Sequence, residues 1–234
     1  MAEFLLIHGS CHGAWCWRDV IPALQALGHS ARAIDLPSHG NDPTPAADVT
    51  LDSYADAIIA AAPPDTNLVG HSMAGYPITA AALKAPDRFA ALIYLCAYVP
   101  IAGKSLADMR RMAPTQPLLA AVQVAPDRVA FTIDPTQARA KFYHDVASDV
   151  ATWAISQLGP QPILPQETVL ADVTTDLPRH YIRCSDDHSI PPAFQRTMTN
   201  DWQGGKVIDM ATSHSPFLSD PAGLAAHLVA LTQE

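Results

Sequence analysis

The chain has 234 residues and a formal net charge of −9; 49% of its residues are hydrophobic and only 16% are charged. This composition is typical of a compact globular protein, and the length allows one large core or two smaller domains. The acidic balance argues against a basic phosphate-binding surface, so we expect no nucleic-acid partner.

Short apolar strands alternate with amphipathic stretches over the first hundred residues. In chain order the sequence predicts a strand over 4–8, a helix over 18–27, a strand over 30–36, a helix over 51–62, a strand over 66–70, a helix over 73–85 and a strand over 89–98. Such alternation is typical of βαβ units and of a parallel sheet covered on both faces.

The pattern changes between Pro100 and Pro178. This segment holds short amphipathic stretches, at 106–112, 137–146 and 149–158, and no clean strand. It is too long for a loop and is predicted to be a small helical cap. The alternation resumes with strands over 180–184 and 206–210 and helices over 192–200 and 221–231. We therefore predict an α/β core of about six mostly parallel strands, formed by residues 1–99 and 179–234, with residues 100–178 as the cap insertion.

No apolar run approaches the roughly 18 residues of a membrane span, and the first residues lead into a strand without a basic, apolar leader. A cytoplasmic location without membrane attachment is therefore the expectation. Cys11, Cys16, Cys96 and Cys184 are predicted to be reduced thiols. Cys11 lies near the candidate site, so it is expected to react with thiol reagents unless it is simply a small buried side chain.

The segment GHSMAG (residues 70–75) lies between a predicted strand and a predicted helix. A serine at such a junction sits in a strained turn and projects its hydroxyl above the sheet, beside the first N–H groups of the helix. The strict pattern has glycine two places after the serine, where this chain has the small residue Ala74. The pattern indicates Ser72 as a nucleophile, which needs a base to take its proton.

The base and the acid are expected after the last two strands of the sheet. His214 follows the last predicted strand and is the only histidine in that place. Asp186 and Asp187 both follow the preceding strand, and residue chemistry does not decide which of them orients the histidine. The unused aspartate is expected in a turn or helix cap. The chain order serine, aspartate, histidine indicates a serine hydrolase.

An oxyanion needs two N–H donors. Met73 at the start of the helix offers one, and the loop after the first strand offers the other, with Ser10 as the candidate. In that loop His8 and His12 are expected to anchor the backbone. A metal site of His8, Cys11 and His12 is the alternative, but no carboxylate accompanies them, so we predict no metal.

Five stretches spread along the chain carry a family resemblance. They are LIHGSCHGAWCW (6–17), the segment 28–40 ending in DLPSHG, GHSM (70–73), DHSIPPAFQ (187–195) and HSPFL (214–218). Together they resemble the α/β-hydrolase family that holds plant methylesterases, hydroxynitrile lyases and their bacterial esterase relatives; the cap matches poorly. The resemblance implies an α/β-hydrolase fold and ester hydrolysis through an acyl-enzyme without a cofactor. It also implies Asp187 as the acid, seven residues before the Phe-Gln pair, and Ser10 as an oxyanion donor.

Two functions are alternatives to an esterase. The lyase branch resembles a version with Thr in place of Gly9, Glu in place of His71 and Lys directly after the catalytic histidine, where this chain has Ser215. All three differences point away from cyanohydrin cleavage and towards an esterase. The second alternative is a ligand-binding protein with slow or incidental turnover, since a fold does not fix a function.

The substrate pocket is expected between the carboxyl ends of the strands and the cap. Met112, Phe131, Phe142, Trp153 and Phe217 are candidate walls, although each is equally explained by packing in the core or cap. The sequence shows no cationic cluster, so the expected substrate is a small, largely apolar carboxylic ester. This small-molecule ester is the predicted partner. The protein itself is expected to be a monomer or a homodimer.

Overall fold

The computed structural model describes residues 1–232, within which no helix combines the length and apolar character needed to cross a membrane. The strands are β1 (Glu3–Ile7), β2 (Ser30–Ile34), β3 (Thr66–His71), β4 (Phe89–Leu95), β5 (Lys104–Ser105), β6 (Val122–Val124), β7 (Ala130–Ile133), β8 (Gln161–Pro162), β9 (Val169–Leu170), β10 (Arg179–Cys184) and β11 (Val207–Met210). The helices are α1 (Val20–Ala26), α2 (Leu51–Ala61), α3 (Gly75–Lys84), α4 (Leu106–Met112), α5 (Pro135–Phe142), α6 (Ser148–Gln157), α7 (Leu164–Glu167), α8 (Pro192–Thr199), α9 (Pro216–Ser219) and α10 (Pro221–Leu231). Residues 233 and 234, which the predicted core includes, lie outside the described residues.

Six strands form one sheet in the order β11-β10-β4-β3-β1-β2. All five neighbouring pairs are parallel. Because every strand runs in the same direction, their carboxyl ends meet at one edge of the sheet. The predicted parallel α/β sheet of about six strands is confirmed.

Both faces of this sheet are covered by helices. Phe4 and Leu6 of β1 belong to the cluster that includes residues of α1 and α10, whereas Leu5 and Ile7 belong to the one that includes residues of α2 and α3. All four side chains are fully buried. Successive side chains of a strand point to opposite faces, which is why a strand covered on both sides is apolar throughout.

Two element boundaries near the candidate nucleophile differ from the prediction. The helix predicted from Met73 begins at Gly75, because Ser72–Ala74 form a tighter 3₁₀ turn first. The strand predicted to reach Tyr98 ends at Leu95, and the next residue, Cys96, has a positive φ of 34°. A positive φ is incompatible with extended strand geometry.

The cap insertion contains strands as well as helices. Helices α4, α5 and α6 overlap the three predicted amphipathic segments, but β6, β7 and β8 form an antiparallel sheet and β5 pairs with β9. The expectation of no clean strand in this segment is therefore wrong. These strands are two to four residues long. Most of them are too short to give a readable alternation of polar and apolar residues.

Buried polar contacts attach the cap insertion to the loop after β1. The Tyr143 hydroxyl lies 2.7 Å from His12 Nε2. Gln161 Oε1 accepts from the Cys11 N–H at 3.4 Å and lies 3.1 Å from His39 Nε2. Since each group finds a partner, these contacts hold the insertion over the carboxyl edge of the sheet at little desolvation cost.

Candidate active site

The turn between β3 and α3 holds Ser72 at the carboxyl edge of the sheet. Ser72 has a φ of 56°, in the left-handed region that costs a non-glycine residue about 1–3 kcal/mol. The Tyr98 N–H donates to the Ser72 carbonyl oxygen at 3.0 Å. Gly75 permits this close approach, because a Cβ there would collide with the Tyr98 carbonyl oxygen. The turn has the form of a nucleophile elbow, with Ala74 tolerated where the strict pattern has glycine.

His214 and Asp187 form a buried pair beside this turn. His214 Nδ1 lies 2.7 Å from Asp187 Oδ2, and the two side chains are 1% and 0% exposed. A carboxylate only accepts hydrogen bonds, so the proton of the neutral imidazole sits on Nδ1 and leaves Nε2 as an acceptor. Asp186 is exposed and lies 3.1 Å from His144 instead. Of the two aspartates, the structure brings Asp187 to the histidine.

Three further donors fix the orientation of the Asp187 carboxylate. The N–H groups of Ser189 and Ile190 donate to Oδ1 at 2.6 and 2.9 Å, and Gln195 Nε2 donates to Oδ2 at 2.9 Å. Gln195 is fully buried and accepts from the Cys184 N–H at 3.0 Å. Sequence reasoning gave Gln195 no role, although its place in the Phe-Gln pair was the available signal.

Ser72 is 9% exposed, and no hydrogen bond joins its hydroxyl to His214 within residues 1–232. Such bonds are often long in a ligand-free site and tighten when substrate binds. The N–H groups of Ser10 and Met73 likewise donate to no atom of residues 1–232. The Ser10 loop lies close to the elbow, since a Cβ on Gly9 would be 2.9 Å from Ser72 Cβ. Unpaired N–H groups beside a hydroxyl can receive an oxyanion.

Two further histidines lie near the pair as neutral groups. His71 Nε2 donates to the His214 carbonyl oxygen at 2.9 Å, with the ring centroids 4.6 Å apart. Burial lowers the pKa of His71 well below its usual range and that of His12 to about 4. Because both are neutral near pH 7, His214 can gain a proton during a reaction without facing a fixed like charge.

The first loop shows no open metal site at His8, Cys11 and His12. His8 Nδ1 donates to the Gly9 carbonyl oxygen at 2.9 Å, its Nε2 accepts from the Leu36 N–H at 3.1 Å, and His12 Nδ1 lies 2.8 Å from the Ser10 carbonyl oxygen. These are the backbone-anchoring contacts that the sequence predicts.

The four cysteines are free and buried, which confirms them as thiols. The expected reactivity of Cys11 is wrong, because this side chain is fully buried and burial raises its pKa to about 12. A buried thiol that is not ionised is neither accessible nor nucleophilic.

Within residues 1–232, two other sets of side chains have ligand-type atoms within 4.8 Å of one another. The first set, His71, Cys96 and His214, is buried and includes the histidine paired with the carboxylate. The second set is His144, Asp186 and His188, two of which are exposed. Neither set is needed for the chemistry that the elbow and the buried pair make available.

A cavity of about 380 Å³ opens between the end of β4 and the cap insertion. It is lined by Tyr98, Ala107, Arg110, Arg111, Ala113, Thr115, Gln116, Leu118, Leu119, Val122, Val124, Arg128, Phe131, Ile163, Gln166, Glu167, Ser189 and Pro191. Tyr98 bonds to the Ser72 backbone, and Gln166 Nε2 donates to Ser10 Oγ at 2.8 Å. Two residues of the cavity lining therefore contact the turn of Ser72 and the loop of Ser10.

Of the five predicted wall residues, Phe131 lines this cavity. Phe142 and Phe217 lie beside histidines instead. The Phe142 ring stacks on His214 with centroids 5.8 Å apart, and the edge-to-face pair of Phe217 and His71 has centroids 4.9 Å apart. Both phenylalanines are buried and pack the imidazole rings in place.

Trp153 and Met112 lie away from the cavity lining. Trp153 packs edge-to-face against Trp15, with centroids 5.3 Å apart, and the Arg18 guanidinium lies 4.1 Å above its ring. Met112 is 50% exposed at the end of α4. Its neighbours Arg111 and Ala113 line the cavity instead.

Sequence reasoning also missed the charge of the cavity. Arg110, Arg111 and Arg128 line it, so the expectation of no cationic cluster is wrong. Arg110 and Arg111 belong to α4, whereas Arg128 comes from the turn between β6 and β7. Pairing these elements around one cavity depends on the fold of the cap insertion, which had no readable sequence pattern.

The parallel sheet and the serine elbow together define an α/β hydrolase. A family model described as the alpha/beta hydrolase family matches residues 4–227, and the chain belongs to this family.

Individual proteins of similar sequence or structure extend the comparison. Esterase PIR7B from Oryza sativa subsp. japonica is 32% identical over 257 residues, covering 99% of this chain and 96% of the relative. Methylesterase 8 from Arabidopsis thaliana is 29% identical, covering 99% and 90%. Among solved structures, a pyrethroid hydrolase from Sphingobium faniae JZ-2 has a TM-score of 0.86 and 27% identity, covering 98% and 96%. The resemblance stated from the sequence motifs is thus confirmed.

Proposed function

We propose that this chain is a carboxylesterase that hydrolyses small esters through an acyl-enzyme on Ser72. The observation that carries the proposal is the buried His214–Asp187 pair, 2.7 Å apart, beside a serine in a left-handed turn. The relatives named esterase and methylesterase support ester hydrolysis. The cavity of about 380 Å³ is of the size that holds a small-molecule substrate.

In the proposed reaction Ser72 Oγ attacks the ester carbonyl carbon while His214 Nε2 takes the hydroxyl proton. Asp187 holds the imidazole tautomer and stabilises the imidazolium. The N–H groups of Ser10 and Met73 bind the oxyanion. The proton then passes from His214 to the departing alcohol, and a water molecule, deprotonated by His214, cleaves the acyl-enzyme. His214 finally returns that proton to Ser72 Oγ as the carboxylic acid leaves, so side chains, backbone N–H groups and water supply every step.

Packing around Gly9 favours this reaction over cyanohydrin cleavage. A Cβ at this position would lie 2.6 Å from His71 Nδ1 and 2.9 Å from Ser72 Cβ. The threonine of the lyase-like pattern therefore fits only if His71 gives way. In addition, the residue after His214 is Ser215, which is fully buried and supplies no cation. The site thus lacks the features that the lyase branch combines.

A fluorophosphonate probe at pH 7.5 tests the proposal. We expect stoichiometric labelling of Ser72, located by mass spectrometry, and no labelling of the Ser72→Ala or His214→Ala variants. Turnover of p-nitrophenyl butyrate should fall by roughly 10⁴-fold in folded Ser72→Ala. Near-wild-type turnover by that variant would refute the assignment. Folded protein that resists labelling, yet is stabilised thermally by an ester with only slow turnover, would instead indicate a ligand-binding protein.

A further inference from the structure

The cavity beside the elbow is positively charged within an acidic protein. Its lining, which lies entirely within residues 1–232, carries Arg110, Arg111 and Arg128 against a single acidic residue, Glu167. The whole chain has a net charge of −9. A concentration of cations in a concave site raises the local concentration of anionic ligands, so the distribution of charge bears on substrate choice.

Arg110 stands out because it is half-buried and the acidic group that attracts it, Glu167, lies beyond ion-pair distance. No hydrogen bond or ion pair joins its guanidinium to residues 1–232. Arg111, the next residue, is exposed and bonds to Asp108 at 2.9 Å. Burial lowers the pKa of Arg110, although a guanidinium remains charged near pH 7. Removing a cation from water without a partner costs free energy, which a bound anion would offset.

Gln166 supplies a second unsatisfied group on the same cavity wall. It is 1% exposed, its Nε2 donates to Ser10 Oγ at 2.8 Å, and its Oε1 has no partner. Gln166 therefore connects the oxyanion loop to the cavity that Arg110 lines. Between these polar groups the wall is apolar, with Ala107, Leu118 and Phe131 among its residues.

We propose that this cavity selects esters that carry a carboxylate and that Arg110 binds the carboxylate. A guanidinium presents parallel N–H donors that match the two oxygens of a carboxylate, and the apolar wall suits a short aliphatic spacer. Hydrolysis by water yields a dicarboxylic acid and an alcohol when the carboxylate is on the acyl side, and a monocarboxylic acid and a hydroxy acid when it is on the alcohol side. This inference rests on the proposed esterase function and names its substrate class.

The test compares pairs of esters of matched length. p-Nitrophenyl hemiglutarate and p-nitrophenyl valerate place a carboxylate or a methyl group at the end of the acyl chain. A second pair, 4-butyryloxybutanoate and butyl butyrate, places the charge on the alcohol side. In at least one of the two pairs, wild type should have a higher kcat/KM for the anionic ester than for the neutral ester. In that pair, Arg110→Gln should lower the anionic-to-neutral ratio of kcat/KM by about tenfold or more. Arg110→Lys should retain part of the preference.

Arg196→Gln is the matched control, because Arg196 is exposed on α8 and does not line the cavity. It should keep the wild-type ratio. Preference for the anionic ester should also weaken as ionic strength rises. Because Arg110 makes no hydrogen bond or ion pair within residues 1–232 and its burial is unfavourable, Arg110→Gln should unfold at a temperature no lower than that of wild type.

The neutral ester and the fluorophosphonate probe report on the esterase proposal separately. If the neutral ester is hydrolysed but Arg110→Gln leaves the ratio unchanged in both pairs, the carboxylate site is refuted while the esterase stands. If neither labelling nor hydrolysis occurs, calorimetric titration with glutarate tests the site alone. Glutarate binding by wild type that is lost in Arg110→Gln would support the site, and equal binding or none would overturn it.

Discussion

Replacing Asp187 by asparagine tests the candidate site most sharply, because the structure dictates what the amide can and cannot do. The Asp187 carboxylate accepts four hydrogen bonds, two on each oxygen. The donors are two backbone N–H groups on Oδ1, and Gln195 Nε2 and His214 Nδ1 on Oδ2. An asparagine is nearly the same size, so packing is preserved while the hydrogen-bonding character of one oxygen is inverted.

Either orientation of the asparagine amide is unfavourable. With its NH₂ group in place of Oδ1, it faces the N–H groups of Ser189 and Ile190, and two buried donors lose their acceptor. With its NH₂ group in place of Oδ2, it faces Gln195 Nε2 and forces the proton of His214 onto Nε2, where the ring can no longer accept the Ser72 proton. Each buried donor left unpaired costs about 1–3 kcal/mol. The second orientation leaves one donor unpaired rather than two, so it should prevail, and Asp187→Asn should lose about 1–3 kcal/mol of unfolding free energy. The wrong tautomer should lower kcat by roughly 10⁴-fold.

Urea unfolding and the kcat for p-nitrophenyl butyrate measure the two effects. Asp186→Asn is the matched control, since the Asp186 side chain is 65% exposed and contacts His144 rather than His214. We expect this control to retain activity within about threefold and stability within about 0.5 kcal/mol. An active Asp187→Asn variant, or an inactive Asp186→Asn variant that remains folded, would refute the assignment of the acid.

Two further predictions follow from the same contacts. The free energy of unfolding should fall between pH 6.5 and pH 4, because burial lowers the folded-state pKa of His8, His12 and His71 and the unfolded chain binds protons there that the folded chain does not. His12 alone contributes about 3 kcal/mol of this loss. Urea unfolding at a series of pH values measures it, and a free energy of unfolding that did not change with pH would contradict the neutral state of these three histidines. Gly9→Ala should lower kcat/KM on p-nitrophenyl butyrate by about tenfold or more, since its Cβ would displace His71. Gly159→Ala, where a Cβ has open space, should not, and equal activity of the two variants would overturn this reading of the elbow.

The catalytic candidates were accessible from sequence because they follow strands. In a parallel sheet the carboxyl ends of all strands lie on one edge, so residues after β3, β10 and β11 meet there whatever the loops do. The choice between Asp186 and Asp187 was not accessible in this way. Neighbouring residues point in different directions, so strand order leaves both residues open. The family resemblance implies Asp187, and the contacts place Asp187 buried against His214 and Asp186 exposed.

The cap insertion shows why the rest of the site was not accessible. Gln166 reaches Ser10 across 156 residues of sequence, and Gln161 reaches Cys11 across 150. Nothing local in these segments marks a contact at such a distance, and most of the strands that place them are too short to show a period. The partial burial of Arg110 has no local signal for the same reason, because it depends on neighbours from other parts of the insertion.

The unsatisfied polar groups of the molecule support the location of the site independently of any motif. Buried atoms without partners are uncommon in folded proteins, because each costs free energy. Of six such atoms among residues 1–232, three belong to residues in contact with or next to the candidate machinery: His71 Nδ1, Gln166 Oε1 and Ser215 Oγ. The other three belong to Trp15, Trp17 and His144. Two free N–H groups and the unpaired guanidinium of Arg110 lie around the same edge of the sheet. The two N–H groups and the Arg110 guanidinium are the donors that the proposed oxyanion and carboxylate would engage, which explains why the fold leaves them without a hydrogen-bond acceptor.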